Sequence, residues 1–64
     1  MINVNGEPLE LDGLSIASLL GRLHIETRGV AVALNGDVVP RGEWTGVVVA
    51  AGDRVEIVTA AAGG

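Results

Sequence analysis

A single helical pattern interrupts a chain whose other hydrophobic residues alternate along strands. Four large aliphatic residues recur at the i, i+3, i+4 and i+7 spacing of one side of a short helix: Ile16, Leu19, Leu20 and Leu23. Ser15, just before them, is of a type favoured at a helix N-cap. Gly21 weakens the helix slightly and is expected to let a strand approach closely. One helix with one apolar side must bury that side, and the alternating segments predict that it packs on a β-sheet.

The alternating segment before the helix predicts a first hairpin. Ile2 and Val4 alternate with polar residues, and Leu9 and Leu11 do so after a glycine-containing turn. Pro8 has no backbone donor, so we expect it at the start or the edge of the second strand.

The segment after the helix predicts a second hairpin. Val30, Val32 and Leu34 alternate with alanines, a pattern typical of a strand that can be buried on both faces. Asn35–Gly36 predicts a tight turn that requires positive φ. A short strand follows, and Pro40 ends it.

The end of the chain predicts a turn around Trp44, a second turn at Gly52–Asp53, and a last strand with one face exposed to solvent. Two hairpins flanking one helix, with a final strand able to enter the middle of the sheet, predict the α+β fold class and the ubiquitin-like β-grasp architecture. The sheet is mixed, has four to five strands, and carries the helix on one face. We expect residues 1–59 to form the domain and residues 60–64 a flexible C-terminal tail.

Composition limits the chemistry that side chains can perform. The 64 residues include no Cys, Phe or Tyr and a single Trp, so the core is aliphatic and has neither disulfides nor thiolate ligands. Trp44 is expected to close the end of the core, with an acceptor for its indole N–H. His24 stands alone and predicts no metal site; near a helix C-terminus its charge is favourable.

The charge of the chain excludes some partners and favours others. The net charge is −4 and lysine is absent, so nucleic-acid binding is not expected, whereas a protein partner with a basic face is. The longest nearly apolar stretch, residues 47–51, is too short to span a bilayer. We therefore expect no membrane association and a cytoplasmic location.

The last five residues, Ala60–Gly64, have almost no side chain and end in two glycines. A terminal carboxylate is ionised at pH 7, but attack on the α-phosphate of ATP would convert it to an acyl-adenylate. Sulfur transfer would then give a thiocarboxylate. Gly64 is the candidate for this covalent attachment, and Gly63 and Ala62 are slim enough to thread into a partner's active site. Val58, on the polar side of the last strand, is a candidate partner contact.

Three stretches of the chain resemble the ThiS family of small sulfur carriers of thiamine biosynthesis. They are MINVNGEPLEL at the start, VAVALNGDVVPRGEW in the middle and AGDRVEIVTAAAGG at the end. The most specific is Leu-Asn-Gly-x-Val-Val-Pro-Arg-x-x-Trp at positions 34–44, and next come Gly52–Asp53, a strand and the diglycine. The resemblance covers the whole chain. An aromatic residue often seen in the family's first strand is absent, which concerns core packing alone.

The resemblance implies a protein cosubstrate that has no active site of its own and binds no cofactor. An E1-like adenylyltransferase of the ThiF type would use ATP to adenylate the terminal glycine, here Gly64. Sulfur from cysteine, delivered through a cysteine desulfurase, would then form the thiocarboxylate. A thiazole synthase of the ThiG type would use that sulfur to build the thiazole ring of thiamine.

Four alternatives stay open at this point. The small subunit of molybdopterin synthase, and sulfur carriers for cysteine synthesis or tRNA thiolation, share the same tail chemistry. A ubiquitin-like modifier would form amides instead. A β-grasp binding module would have a tail without chemistry, and removal of Gly64 separates it from the others.

Overall fold

A computed structural model of the chain describes residues 1–59. The elements in chain order are β1 (Ile2–Val4), β2 (Glu7–Leu9), α1 (Ile16–Arg22), β3 (Val30–Leu34), β4 (Asp37–Val39), a 3₁₀ turn (Arg41–Glu43) and β5 (Arg54–Thr59). The strands form one sheet in the order β2-β1-β5-β3-β4. β1 and β5 are parallel and the other neighbours are antiparallel, so the sheet is mixed. The predicted α+β arrangement is confirmed, with five strands and the last strand in the centre.

Both hairpins turn on an Asn–Gly pair in left-handed backbone conformation. The φ angles are 52° and 87° at Asn5–Gly6 and 52° and 89° at Asn35–Gly36, as a two-residue turn with positive φ at both positions requires. β2 is an edge strand, and Pro8 pairs there with Asn3. The N–H of Asn3 points away from β2 and donates to the carbonyl of Asp53, in the loop before β5. The pair Asn3↔Pro8 therefore needs no N–H from the proline.

The first hairpin is shorter than the alternation predicted. β2 ends at Leu9, and Leu11 packs against the core from the loop that follows. The chain is already turning toward the helix there, since the N–H of Gly13 donates to the carbonyl of Val49 at 2.8 Å.

The helix begins and packs as its sequence pattern predicts. The side-chain oxygen of Ser15 accepts a hydrogen bond from the backbone N–H of Ser18 at 3.1 Å. Ile16, Leu19 and Leu20 are completely buried against the sheet. The expected close approach of a strand at Gly21 is wrong: Gly21 faces solvent, and no atom lies within 4 Å of the position a Cβ would take.

Trp44 closes one end of the aliphatic core, as predicted. Its side chain is 5% exposed, and its indole Nε1–H donates to the carbonyl of Val39 at 2.9 Å. The guanidinium of Arg41 lies 4.7 Å from the centre of the ring. The core that Trp44 covers includes residues from the helix, the sheet and the loop before β5: Ile2, Val4, Ile16, Leu19, Leu20, Val30, Val32, Val39, Val49, Val55 and Ile57.

The alanine side of β3 is not buried, contrary to expectation. Val30 and Val32 face the helix and are buried, whereas Ala31 is exposed and Ala33 is half-buried on the opposite side. In the part of the chain that the structure describes, one helix covers one face of the sheet, and no second layer lies on the other. The alanines of β3 therefore lie on an uncovered face and do not pack against another element among the described residues.

None of the described helices is long and apolar enough to cross a membrane. Residues 60–64, where we expect the flexible tail, lie outside the described residues. The domain boundary after residue 59 therefore stays a prediction.

Candidate functional site

The central strand β5 leads from the middle of the sheet to the C-terminal residues. Its last residue, Thr59, is also the last residue described, and five positions of sequence separate it from Gly64. The three predicted tail residues, Ala62, Gly63 and Gly64, lie outside the described part of the chain. Their roles remain predictions. The structure instead describes the domain that precedes them, residues 1–59, here called the platform.

β5 has unequal neighbours along its length. On one side β3 pairs with it from Leu34↔Val55 to Val30↔Thr59. On the other side β1 pairs with it at Asn3↔Arg54 and Val4↔Val55 and then turns away. Beyond Val55, the backbone of β5 therefore has a strand partner among the described residues on one side alone.

The side chain of Asn5 continues the ladder where β1 ends. The backbone N–H of Asn5 donates to the Val55 carbonyl at 2.9 Å. Its Oδ1 accepts from the N–H of Ile57 at 2.8 Å, and its Nδ2 donates to the Ile57 carbonyl at 3.1 Å. A side-chain amide carries the same donor and acceptor as a backbone residue, so Asn5 holds β5 as one more residue of a parallel strand would.

Asn35 holds the opposite end of β5 in a similar way. Its Oδ1 accepts from the N–H of Arg54 at 2.9 Å, and its own N–H donates to the Arg54 carbonyl at 2.8 Å. Its Nδ2 donates to Oδ1 of Asp53 at 3.1 Å, while Oδ2 of Asp53 accepts from the N–H of Ala50 at 2.8 Å. The hydrogen bonds from Ala50 and then Asn35 lower the pKa of Asp53 below its usual value.

The sheet face opposite α1, here called the open face, lies beside this strand. Its members are Asn3, Ala31, Ala33, Val38, Arg54, Glu56 and Val58, which line one shallow depression together with parts of the neighbouring backbone. Val38 is 74% exposed and Val58 is 62% exposed, both unusually high for valine in a sheet. The open face thus has a small apolar area with one positive and one negative side chain on β5.

This arrangement offers contacts rather than a reaction centre among the described residues. Within residues 1–59, no group of three or more His, Cys, Asp or Glu side chains could hold a metal ion. His24 is exposed just after the helix, in left-handed backbone conformation with φ of 56°. Nor is any polar side chain in that range buried. Among the described residues, the open face offers exposed apolar side chains for contact with another molecule.

Reasoning from the sequence missed three residues of this region. Val38 lies in the predicted short strand, but its exposure is not predicted. Asn35 is predicted as a turn residue because it precedes a glycine, and Asn5 falls in the glycine-containing turn predicted for the first hairpin. Their side-chain contacts with β5 are with residues 52 and 19 positions away in the chain, and no local pattern indicates them.

Comparison with known proteins places the whole chain among relatives of one kind. The model of the ThiS family matches residues 2–64. The sulfur carrier protein ThiS of Thermus thermophilus is 36% identical over 64 residues, which is 100% of each chain. A thiazole synthase of Paramagnetospirillum magneticum is 37% identical over 62 residues, or 95% of this chain. The chain spans 19% of the length of that synthase.

Solved structures agree with the fold described above. The crystal structure of the thiamine biosynthesis protein (ThiS) from Geobacter metallireducens superposes with a TM-score of 0.83 at 33% identity, covering 98% of this chain and 97% of that one. An NMR solution structure of a thiamine biosynthesis protein from the same organism gives a TM-score of 0.78 at 36% identity, covering 98% and 86%. The predicted β-grasp fold is confirmed.

Proposed function

The chain belongs to the ThiS family, and from this premise we propose that it is a sulfur carrier of thiamine biosynthesis whose reactive group is the carboxylate of Gly64. The match of the family model over residues 2–64 carries the proposal, because it includes both the platform and the tail. The full-length similarity to the sulfur carrier of Thermus thermophilus supports it.

The first step activates the carboxylate. An oxygen of the Gly64 carboxylate attacks the α-phosphorus of ATP, the bond to the bridging oxygen of pyrophosphate breaks, and pyrophosphate leaves. The product is an acyl-adenylate whose leaving group is AMP rather than hydroxide. An E1-like adenylyltransferase supplies ATP and the active site, and the carrier binds no cofactor itself.

The second step places sulfur on the carbonyl carbon. The terminal sulfur of a persulfide, formed from cysteine by a desulfurase, attacks the acyl-adenylate and expels AMP. A second thiol then attacks the resulting acyl disulfide at the sulfur that is not bonded to the carbonyl carbon. A new disulfide forms between these two sulfurs, and the thiocarboxylate is released. Two electrons from that thiol reduce the persulfide sulfur, and the oxidation level of the carbonyl carbon is unchanged.

The proposed acceptor of the sulfur is a thiazole synthase. This proposal is supported by the Paramagnetospirillum magneticum protein of that name, in which a segment similar to this chain forms part of a longer polypeptide. Two proteins that must meet repeatedly gain effective concentration when they are joined in one chain. We place the reaction in the cytoplasm, where ATP is available.

The described surface supports the proposed role by offering a docking area beside the end of β5. Val38 and Val58 are exposed on the open face, and Val58 immediately precedes the last described residue. A partner that covers this small apolar area would also lie close to Thr59, the last residue of β5.

The proposal is tested by the intact mass of the protein isolated from its own cells and after reaction with the purified adenylyltransferase, ATP, desulfurase and cysteine. We expect an increase equal to sulfur replacing one oxygen. Oxidation of Met1, the only methionine, adds almost the same mass, so the sulfur must be located on the C-terminal fragment.

A variant lacking Gly64 is the control, and we expect it to stay unmodified. Absence of an adenylate from the wild-type chain with the purified enzyme and ATP would contradict the proposal. An amide to another protein would indicate a modifier instead. In a deletion strain, a thiamine requirement supports the thiazole role, whereas loss of molybdoenzyme activity would indicate the molybdopterin role.

A further inference from the structure

The end of β5 is held by one side chain on the side where β1 has turned away. Within residues 1–59, Ile57 is the last residue of β5 with hydrogen bonds on that side, and both its N–H and its carbonyl are bound by Asn5. Two residues later the strand ends at Thr59. On the other side, β3 continues to Thr59 through the pair Val30↔Thr59. With Asn5 in place, the end of β5 is therefore held on both sides, whereas without it β3 alone would hold this part of the strand.

The backbone of Asn5 makes this contact possible. With φ of 52° it lies in the left-handed region, which asparagine tolerates better than most residues. Its N–H still reaches Val55 while its side chain continues along the strand to Ile57. Glycine would also accept this backbone but offers no side chain, so the turn alone does not explain the contact.

We propose that Asn5 is a positioning residue for the reactive tail: its side chain clamps β5 at Ile57 and thereby fixes residues 57–59, from which the chain continues to Gly64. The inference rests on the proposed function and adds a residue 52 positions away from Ile57 to the carrier's working parts. Without the clamp, residues 57–59 gain freedom that must be lost again when the tail is bound by the activating enzyme.

Asn35 provides a matched control within the same chain. It has the same φ of 52°, precedes a glycine in the same kind of turn, and pairs its side chain with the backbone of β5. Its contact is with Arg54 at the start of the strand, far from Thr59. Asn5→Gly and Asn35→Gly each remove one such contact and leave a residue that accepts positive φ without strain.

The first measurement is amide hydrogen exchange on both variants, at a temperature where circular dichroism shows them folded. We expect Asn5→Gly to accelerate exchange at Ile57 roughly tenfold, as for the loss of one hydrogen bond, and to accelerate it also at Val58. Asn35→Gly should accelerate exchange at Arg54 and leave Ile57 protected. Unchanged protection of Ile57 in Asn5→Gly would overturn the clamp.

The second measurement is ATP–pyrophosphate exchange by the purified E1-like adenylyltransferase with each chain as substrate. We expect Asn5→Gly to raise the KM for the carrier roughly fivefold to thirtyfold, the cost of ordering about one more backbone residue, with kcat unchanged. Asn35→Gly should leave KM unchanged. Equal effects of the two variants on KM would overturn the positioning role and leave Asn5 as a structural residue.

Asn5→Asp is a nearly isosteric second variant. It keeps an acceptor for the Ile57 N–H but places an oxygen opposite the Ile57 carbonyl, so we expect a raised KM from a folded protein. A wild-type KM for this variant would contradict the clamp through Nδ2. Absence of pyrophosphate exchange with the wild-type chain would overturn the proposed function and the role of Asn5 in that reaction, whereas hydrogen exchange would still establish or refute the clamp itself.

Discussion

Asn5, Asn35 and Asp53 show how polar side chains at the ends of strands replace missing backbone partners. Each accepts a hydrogen bond from a backbone N–H that has no strand opposite it: that of Ile57 for Asn5, of Arg54 for Asn35, and of Ala50 for Asp53. Unpaired backbone donors are costly even when partly shielded, so these contacts stabilise the ends of β5 and the turn before it.

The stabilising contribution of Asp53 depends on pH in a direction that its hydrogen bonds determine. The pKa of Asp53 is lowered from 3.8, chiefly by the Ala50 N–H and then by Asn35. A group with a lowered folded pKa adds stability that is fully present above its unfolded pKa and is lost as the pH falls through the folded value. We expect Asp53→Asn to lower the thermal midpoint at pH 7 and the difference from wild type to shrink below about pH 4.

The control for this prediction is Asp37→Asn, which changes an exposed carboxylate of β4. We expect it to leave the midpoint nearly unchanged at pH 7. A wild-type advantage over Asp53→Asn that is the same at every pH would show that the charge of Asp53 is not involved.

At the scale of elements, α1 is well stabilised at its N-terminus and poorly stabilised at its C-terminus. The Ser15 cap and three completely buried residues define its first two turns. Gly21 lies near its end, faces solvent, and has open space where a Cβ would be. Nothing in the packing around Gly21 therefore requires a glycine.

Replacing this glycine is expected to stabilise the protein. Gly21→Ala should raise the free energy of unfolding by about 0.5–1 kcal/mol, because alanine restricts the unfolded chain and has the higher helix propensity. Urea unfolding followed by circular dichroism measures the change. Gly36→Ala is the contrasting variant: its φ of 89° is strained for alanine, and we expect a loss of stability. A loss from Gly21→Ala as well would mean that the helix end has contacts that its present geometry does not explain.

At the scale of the whole molecule, the described chain is one sheet with one covered face. The helix side contains the core, and the open face contains exposed Val38 and Val58 beside the exit of β5. Val38 and Val58 thus lie on the face that has no cover among the described residues.

We expect Val58→Asp to weaken binding to the purified thiazole synthase roughly tenfold or more, because a charge would be desolvated in an apolar contact. Isothermal titration calorimetry measures this affinity. Val48→Asp is the matched control, since Val48 is 55% exposed but lies outside the open face. Wild-type affinity for Val58→Asp would remove Val58 from the proposed contact.

Local patterns in the sequence were sufficient for most of the elements. The i, i+3, i+4 spacing of α1, the Ser15 cap, the Asn35–Gly36 turn and the glycine-containing turn of the first hairpin depend on residues within a few positions of one another. The edge position of Pro8 and the indole contact of Trp44 also followed from residue chemistry, because a missing donor must avoid the ladder and a buried N–H must find an acceptor.

Periodicity and turn chemistry are properties of neighbouring residues, and they were enough to predict which segments become strands and helix. The contacts between those segments depended on the assembled fold. It left the alanine side of β3 uncovered, placed no strand against Gly21, ended β2 at Leu9, and brought Asn5 to Ile57. These outcomes depend on how many layers the chain forms and on which strands become neighbours, and such long-range pairings leave no trace in the local alternation of side chains.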